Sequence, residues 1–88
     1  AKEIGLINDC FSKSKLNSEV LKIAKKIASK SNLTIKIGKQ TFYKQLEMPL
    51  RKAYVYTSKM MTRNMMAIDA KEGISAFLEK RKPIWKNK

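Results

Sequence analysis

Histidine is absent from this 88-residue sequence, and cysteine occurs once, as Cys10. Without histidine the chain lacks the usual base of a hydrolytic triad, and no neighbouring residue marks Cys10 as an activated nucleophile. A single cysteine also excludes an internal disulfide and a cysteine-based metal cage, and it fits a reducing compartment. We therefore predict no catalytic residue and no metal-binding residue in this chain.

Glycine and long apolar runs are also scarce. The three glycines are isolated, so no glycine-rich phosphate-binding loop is present. No apolar stretch approaches the roughly 20 residues that span a bilayer, and no basic-then-apolar leader opens the sequence. Because 88 residues support one core at most, we expect residues 1–88 to form a single soluble module without a membrane span.

Acidic residues are few: 7 Asp and Glu stand against 20 Lys and Arg, which gives a net charge of +13. This charge favours an anionic partner such as nucleic acid, an anionic membrane or a phosphorylated small molecule. The basic residues are, however, 17 lysines and 3 arginines, and phosphate-clamping surfaces usually rely on arginine. The favoured interpretation of the positive charge is therefore that most of the lysines are exposed to solvent and bind no partner. The alternative is a small basic helical domain that binds nucleic acid or protein.

Apolar residues recur at helical spacing through most of the chain, which predicts an all-α fold of about four helices with short loops. Leu33, Ile35 and Ile37 also alternate as in a strand, but the helical pattern continues further. The apolar run at residues 5–11 predicts a strand or an extended lead-in. The first predicted helix covers residues 14–29, and the second follows a cap at Ser31-Asn32 and extends to about Gln45. The third covers residues 49–67 with Pro49 in its first turn, and the last begins at Asp69 and is stopped by Pro83.

Two features of the last helix have structural and functional interpretations. Asp69 and Glu72 form a capping-box variant, so Glu72 is interpreted as a cap rather than a general base. The basic residues Lys80, Arg81 and Lys82 follow the aromatic Phe77 and either contact an anionic ligand or oppose the helix dipole.

A methionine cluster lies near the end of the third helix. It consists of Met60, Met61, Met65 and Met66. Flexible methionines suit a groove for an acyl chain or a partner helix, but helical spacing favours packing in a core or an interface.

In their order along the chain, several segments resemble the C-terminal region of the enoyl-CoA hydratase/isomerase (crotonase) family. They are GLIN at residues 5–8, IAKKIA at 23–28, residues 31–39 and, most specifically, DAKEGISAFLEKRKP at 69–83. Residues 43–46 and the Pro-Ile-Trp ending further resemble the group of enoyl-CoA hydratase domain-containing protein 3. The resemblance covers essentially the whole chain.

The resemblance implies a helical trimerisation region that follows a spiral ββα core. In the family, the oxyanion hole and the catalytic glutamates belong to that core, so they match no residue of this sequence. By resemblance, Lys80 contacts the phosphates of the CoA moiety of an acyl-CoA, and Phe77 lies near its acyl or adenine end. No tightly bound cofactor is implied.

The partners implied by the resemblance are the crotonase core and sister subunits, assembled as a homotrimer or a dimer of trimers. The expected location is the cytoplasm or the mitochondrial matrix. The chain is expected to contribute to an enzyme without being catalytic by itself.

Overall fold

A computed structural model describes all 88 residues, and its regular elements are four helices. The all-α prediction is confirmed, with short loops between the helices. None of the helices combines the length and the apolar character that a membrane crossing requires. In chain order the elements are α1 (Leu16–Ala28), α2 (Asn32–Gln45), α3 (Leu50–Met65) and α4 (Ile68–Leu78), and an irregular segment at residues 83–88, called the tail, follows.

Of the local signals before α2 and α3, Ser31 acts as the sequence predicts, whereas Pro49 lies one position before the first turn in which it was predicted. Ser31 is the N-cap of α2, and its hydroxyl oxygen accepts a hydrogen bond from the Thr34 N–H group at 3.4 Å. Pro49 directly precedes the first residue of α3, where its missing N–H group removes no helical bond. The alternating Leu33, Ile35 and Ile37 lie within α2 and form no strand.

The chain buries few of its residues completely. Its four buried residues are Ser31, Ala53, Asp69 and Ala76, so no large apolar side chain is among them. The radius of gyration is 16.7 Å, compared with about 12 Å expected for a compact domain of this length. The helices therefore form a flat, open array rather than a domain around a core.

Packing between the helices is concentrated in one hairpin. α2 packs along α3, with a smaller contact between α3 and α4, and α1 has no comparable helix partner. A hydrogen bond from the Thr34 hydroxyl to the Asn64 side-chain oxygen, at 3.1 Å, joins α2 to α3. Although α1 is strongly amphipathic, Val20 and Ile27 on its apolar stripe are about half exposed.

The predicted strand or extended lead-in at residues 5–11 is wrong. The Gly5 N–H group donates to the Lys2 carbonyl at 3.1 Å, which closes a turn, and bends follow at residues 6–8. Gly5 has a φ of +80°, a left-handed conformation that interrupts an extended path. The chain also contains no second strand with which residues 5–11 could pair.

Candidate functional site

The predicted basic run lies just beyond the C-terminal end of α4, where Lys80 has a left-handed φ of +53°. The Lys80 N–H group donates to the Phe77 carbonyl at 3.3 Å, and the Arg81 N–H group donates to the Ala76 carbonyl at 3.0 Å. These two bonds form a Schellman motif, which ends the helix. The prediction that Pro83 stops α4 is wrong, because the chain leaves the helical path at Lys80.

Arg81, the middle residue of the run, is held by two carboxylates. Its Nη1 and Nη2 atoms donate to the two oxygens of Glu72 at 2.6 and 3.2 Å, and Nε donates to Glu79 at 2.7 Å. The Ile84 N–H group also donates to Glu72, at 2.8 Å. The bonds from Arg81 and Ile84 lower the pKa of Glu72 to about 2, and the same carboxylates raise the pKa of Arg81.

The two residues expected to contact CoA, Phe77 and Lys80, lie together at this helix end. Phe77 is 82 % exposed. Lys80 is exposed and takes part in none of the ion pairs. The basic run therefore contains two kinds of cation: Arg81 is neutralised internally, whereas Lys80 keeps an unpaired charge.

Phe77 also lines an open groove of about 500 Å³ between α4, the tail and the start of α2. Its walls are mainly apolar, and Lys30 is one of the lining residues, so an apolar or aromatic group with a nearby anion suits it chemically. The principal lining side chains are Ile35, Met65, Ile74, Phe77, Leu78 and Trp85.

Asp69 is the centre of a second, buried cluster. Its carboxylate accepts hydrogen bonds from the Ser31 hydroxyl and from the N–H groups of Lys86 at 2.7 Å and Asn87 at 2.9 Å. The Asp69 N–H group in turn donates to the Lys88 carbonyl at 2.9 Å. Burial opposes ionisation of Asp69, but the three donated bonds outweigh it and lower its pKa. The cluster fastens the tail to α4.

Trp85 fastens the tail to α1 as well. Its Nε1–H group donates to the Ser29 carbonyl at 2.7 Å, which satisfies a free carbonyl just after α1. Its ring lies against Gly73 of α4, where an added Cβ would be 3.4 Å from the nearest ring atom. The tail therefore connects the end of α1 to α4, and it forms one wall of the groove beside Phe77.

The predicted capping box at Asp69 and Glu72 is wrong. Ala67 is the N-cap of α4 and makes no side-chain cap bond. Asp69 lies inside the first turn and binds the tail, whereas Glu72 binds Arg81 and Ile84. Sequence reasoning missed these partners because the tail N–H groups lie 17 and 18 positions from Asp69. A tryptophan in an otherwise basic tail was the available signal, since such a ring usually packs.

The polar groups of this region are suited to binding rather than to acid–base chemistry. A carboxylate with a pKa near 2, such as Glu72, remains ionised at neutral pH and is a weak proton acceptor. Cys10 is exposed and distant in sequence from these groups. No group of three or more acidic, histidine or cysteine side chains is placed to hold a metal ion.

A separate groove of about 420 Å³ runs along the α2–α3 hairpin. Met60 and Met61 line it, and the Thr41 hydroxyl near it is buried without a hydrogen-bond partner. Met61 and Met66 are 63 % and 76 % exposed. The methionine cluster is therefore no core within this chain, and its interpretation as an interface stays a prediction.

The chain is similar to known proteins over nearly its whole length. The family model described as enoyl-CoA hydratase/isomerase matches residues 1–88. The mouse protein named enoyl-CoA hydratase domain-containing protein 3, mitochondrial, is 48 % identical over 81 residues, which are 92 % of this chain and 27 % of the mouse protein. None of the names found supports binding to nucleic acid.

Two solved structures contain the same helical arrangement. An enoyl-CoA hydratase of Mycobacterium smegmatis superposes with a TM-score of 0.88 and 40 % identity, over 97 % of this chain and 33 % of that protein. Human enoyl-CoA hydratase domain-containing protein 3 superposes with a TM-score of 0.79 and 49 % identity, over 83 % of this chain and 29 % of the human chain. This chain spans about a quarter to a third of the length of these relatives.

Proposed function

The chain belongs to the enoyl-CoA hydratase/isomerase family, and from this membership we propose that it is the C-terminal oligomerisation and CoA-contacting module of a protein that acts on acyl-CoA thioesters. The observation that supports this most is the flat helical array with four buried residues and no large apolar side chain among them. Such an array gains stability when its apolar faces are covered.

The missing partners are the crotonase core and sister subunits. Apolar side chains are exposed both on the stripe of α1 and at the methionines of α3, and these two helices are the proposed surfaces for neighbours. The expected assembly is a homotrimer or a dimer of trimers. Catalysis would then belong to the core, where the family resemblance places the oxyanion hole and the catalytic glutamates. Glu72 of this chain is already bound by Arg81.

For the CoA contact, Lys80 and Phe77 are the proposed residues. Lys80 presents an unpaired ammonium group, which suits a CoA phosphate, and the exposed Phe77 ring three positions earlier suits an apolar or aromatic part of the same ligand. Of the residues in the basic run, Arg81 is the least available, since two carboxylates already bind it.

The proposed compartment is the mitochondrial matrix. Five vertebrate relatives and one from Dictyostelium discoideum are named as mitochondrial proteins, which supports the matrix rather than the cytoplasm. The single exposed cysteine is compatible with the reducing conditions expected there.

Calorimetric titration with CoA tests the ligand contact, using the protein in which this chain is joined to a crotonase core. Lys80→Ala should weaken CoA binding about threefold to tenfold, because one charge-assisted contact to a phosphate is lost in a partly screened setting. Lys82→Ala is the matched control, since Lys82 is another exposed lysine of the same run without an ion pair. Equal affinities of the Lys80→Ala variant and the unaltered protein would contradict the assignment of Lys80.

Sedimentation and dye binding test the proposed docking surfaces. The isolated chain should self-associate or bind the apolar dye ANS, because its apolar side chains are uncovered. Joined to the core, the same chain should bind much less dye. An isolated chain that is monomeric and binds no ANS would contradict the oligomerisation role.

A further inference from the structure

We propose that Arg81 is a positioning residue, which holds the turn after α4 so that Lys80 is presented outward as a free cation toward a phosphorylated ligand. This inference rests on the proposed contact between Lys80 and CoA. It assigns separate tasks to two adjacent basic residues that look equivalent in the sequence.

The conformation of Lys80 needs external support. With a φ of +53°, its Cβ atom is crowded by its own backbone, and residues other than glycine adopt this region infrequently. Such a conformation persists where the surrounding contacts impose it. The Schellman bonds to the Phe77 and Ala76 carbonyls are one part of that support.

The side chain of Arg81 supplies a second part of the support. Its planar fork reaches back to both oxygens of Glu72 in α4, and its Nε atom holds Glu79, the residue immediately before Lys80. Glu72 also accepts the Ile84 N–H group. Glu79 and Ile84, on either side of the turn, are therefore tied through Arg81 and Glu72 to the same helix.

Arg81 also sets the charge next to Lys80. While Glu79 is paired with Arg81 at 2.7 Å, its carboxylate is partly neutralised. Without Arg81, Glu79 would lose this partner, and its carboxylate would be free to pair with the adjacent Lys80 or to repel a phosphate group. Arg81 therefore favours an anionic ligand at Lys80 without contacting that ligand.

Binding of CoA and of pantetheine, measured side by side, distinguishes a positioning role of Arg81 from a general role in holding the fold. CoA carries phosphates, whereas pantetheine, the thiol-bearing part of CoA, carries none. In the protein joined to its core, Arg81→Gln should weaken CoA binding about threefold to tenfold and leave pantetheine binding unchanged. Arg81→Lys keeps the charge but loses the bidentate fork, so it should produce an intermediate loss for CoA alone.

A double-variant cycle completes the test. Once Lys80 is replaced by alanine, Arg81→Gln should cause little further loss of CoA affinity, because its effect acts through Lys80. Lys80→Gly removes the same cation and also relieves the left-handed strain, so it should lose CoA affinity to the same extent as Lys80→Ala.

The possible failures are distinguishable. If Lys80→Ala leaves CoA affinity unchanged, the proposed function of Lys80 fails. If Lys80→Ala weakens CoA binding but Arg81→Gln does not, only the positioning role is overturned. An equal loss for CoA and pantetheine in Arg81→Gln would also overturn it, since that pattern indicates general damage to the fold.

Discussion

Polar groups between α4 and the end of the tail find partners within the chain, whereas apolar side chains of the α2–α3 hairpin remain uncovered. Asp69 is 1 % exposed and accepts three hydrogen bonds. On the hairpin, Phe42 and Met61 are more than half exposed, and the Thr41 hydroxyl has no partner. The region from α4 to the tail is stabilised by directional bonds, although Phe77 and Leu78 there are exposed as well. The exposed apolar side chains of the hairpin are those with the proposed docking role.

This difference shows how a chain with little core keeps a defined shape. Directional bonds connect residues that are distant in sequence, as between Ser29 and Trp85 or between Asn32 and Asn87. Apolar burial has no such directionality, so the exposed faces of the hairpin would gain further stabilisation if a partner excluded water from them. This division supports the proposal that the region from α4 to the tail positions Lys80 and that the hairpin is a docking surface.

The largest expected effect comes from removing the main apolar anchor of the tail. Trp85→Ala loses the ring packing on Gly73 and the bond to Ser29, and it should reduce the free energy of unfolding by about 2–3 kcal/mol. Hydrogen exchange at the Lys86 and Asn87 amides should accelerate. Ile84→Ala is the matched control in the tail, since Ile84 is 74 % exposed; similar losses in both variants would contradict the anchoring role.

A smaller effect is expected when the buried carboxylate is replaced by its neutral analogue. Asp69→Asn has nearly the same shape but only one acceptor oxygen, so it cannot satisfy all donors from Ser31, Lys86 and Asn87. The thermal unfolding midpoint should fall, and Trp85 fluorescence should shift to longer wavelength. Asp9→Asn, an exposed acid paired with Lys2, is the control and should leave the Trp85 signal unchanged.

Acid should release the tail in a defined pH range. The pKa of Glu72 falls from its ordinary 4.5 to about 2 on folding. Its contribution to the free energy of unfolding is therefore complete above about pH 4.5 and is lost as the pH falls toward 2. The lowered pKa of Asp69 acts in the same direction. Trp85 fluorescence should therefore change over this range, and Glu72→Gln should flatten the transition. A transition near neutral pH would disagree with both shifts.

The smallest expected effects come from two glycines within helices. In Gly38→Ala the added methyl group would have no atom within 4 Å. Because alanine favours the helix over glycine, the free energy of unfolding should rise by about 0.5–1 kcal/mol. Gly73→Ala in α4 places its methyl group 3.4 Å from the Trp85 ring, so the gain should be smaller. Chemical denaturation of the two variants measures this difference, and a larger gain at Gly73 would show that the ring is not packed there.

Local residue patterns were sufficient to predict that the chain forms four helices, although not where every helix ends. The number of helices, the cap at Ser31 and the end of α2 at Gln45 follow from apolar spacing and cap chemistry, which act between residues close in sequence. The family resemblance was also readable, because residues 69–83 carry it as one continuous block. The strand or extended lead-in expected at residues 5–11 was wrong, because strand formation depends on a pairing partner outside the segment and Gly5 begins a turn there.

Only the tertiary structure decided the tasks of the charged residues at α4. Asp69 and Glu72 have the spacing of a capping box, yet they bind the tail and Arg81. Lys80 and Arg81 are neighbours of the same charge, yet one is free and the other is neutralised. Sequence alone determined only that these groups are present and where they lie along the chain. Which of them is buried, paired or exposed depends on how the chain folds back after Lys80, because hydrogen bonds and ion pairs depend on distances that sequence separation does not reveal.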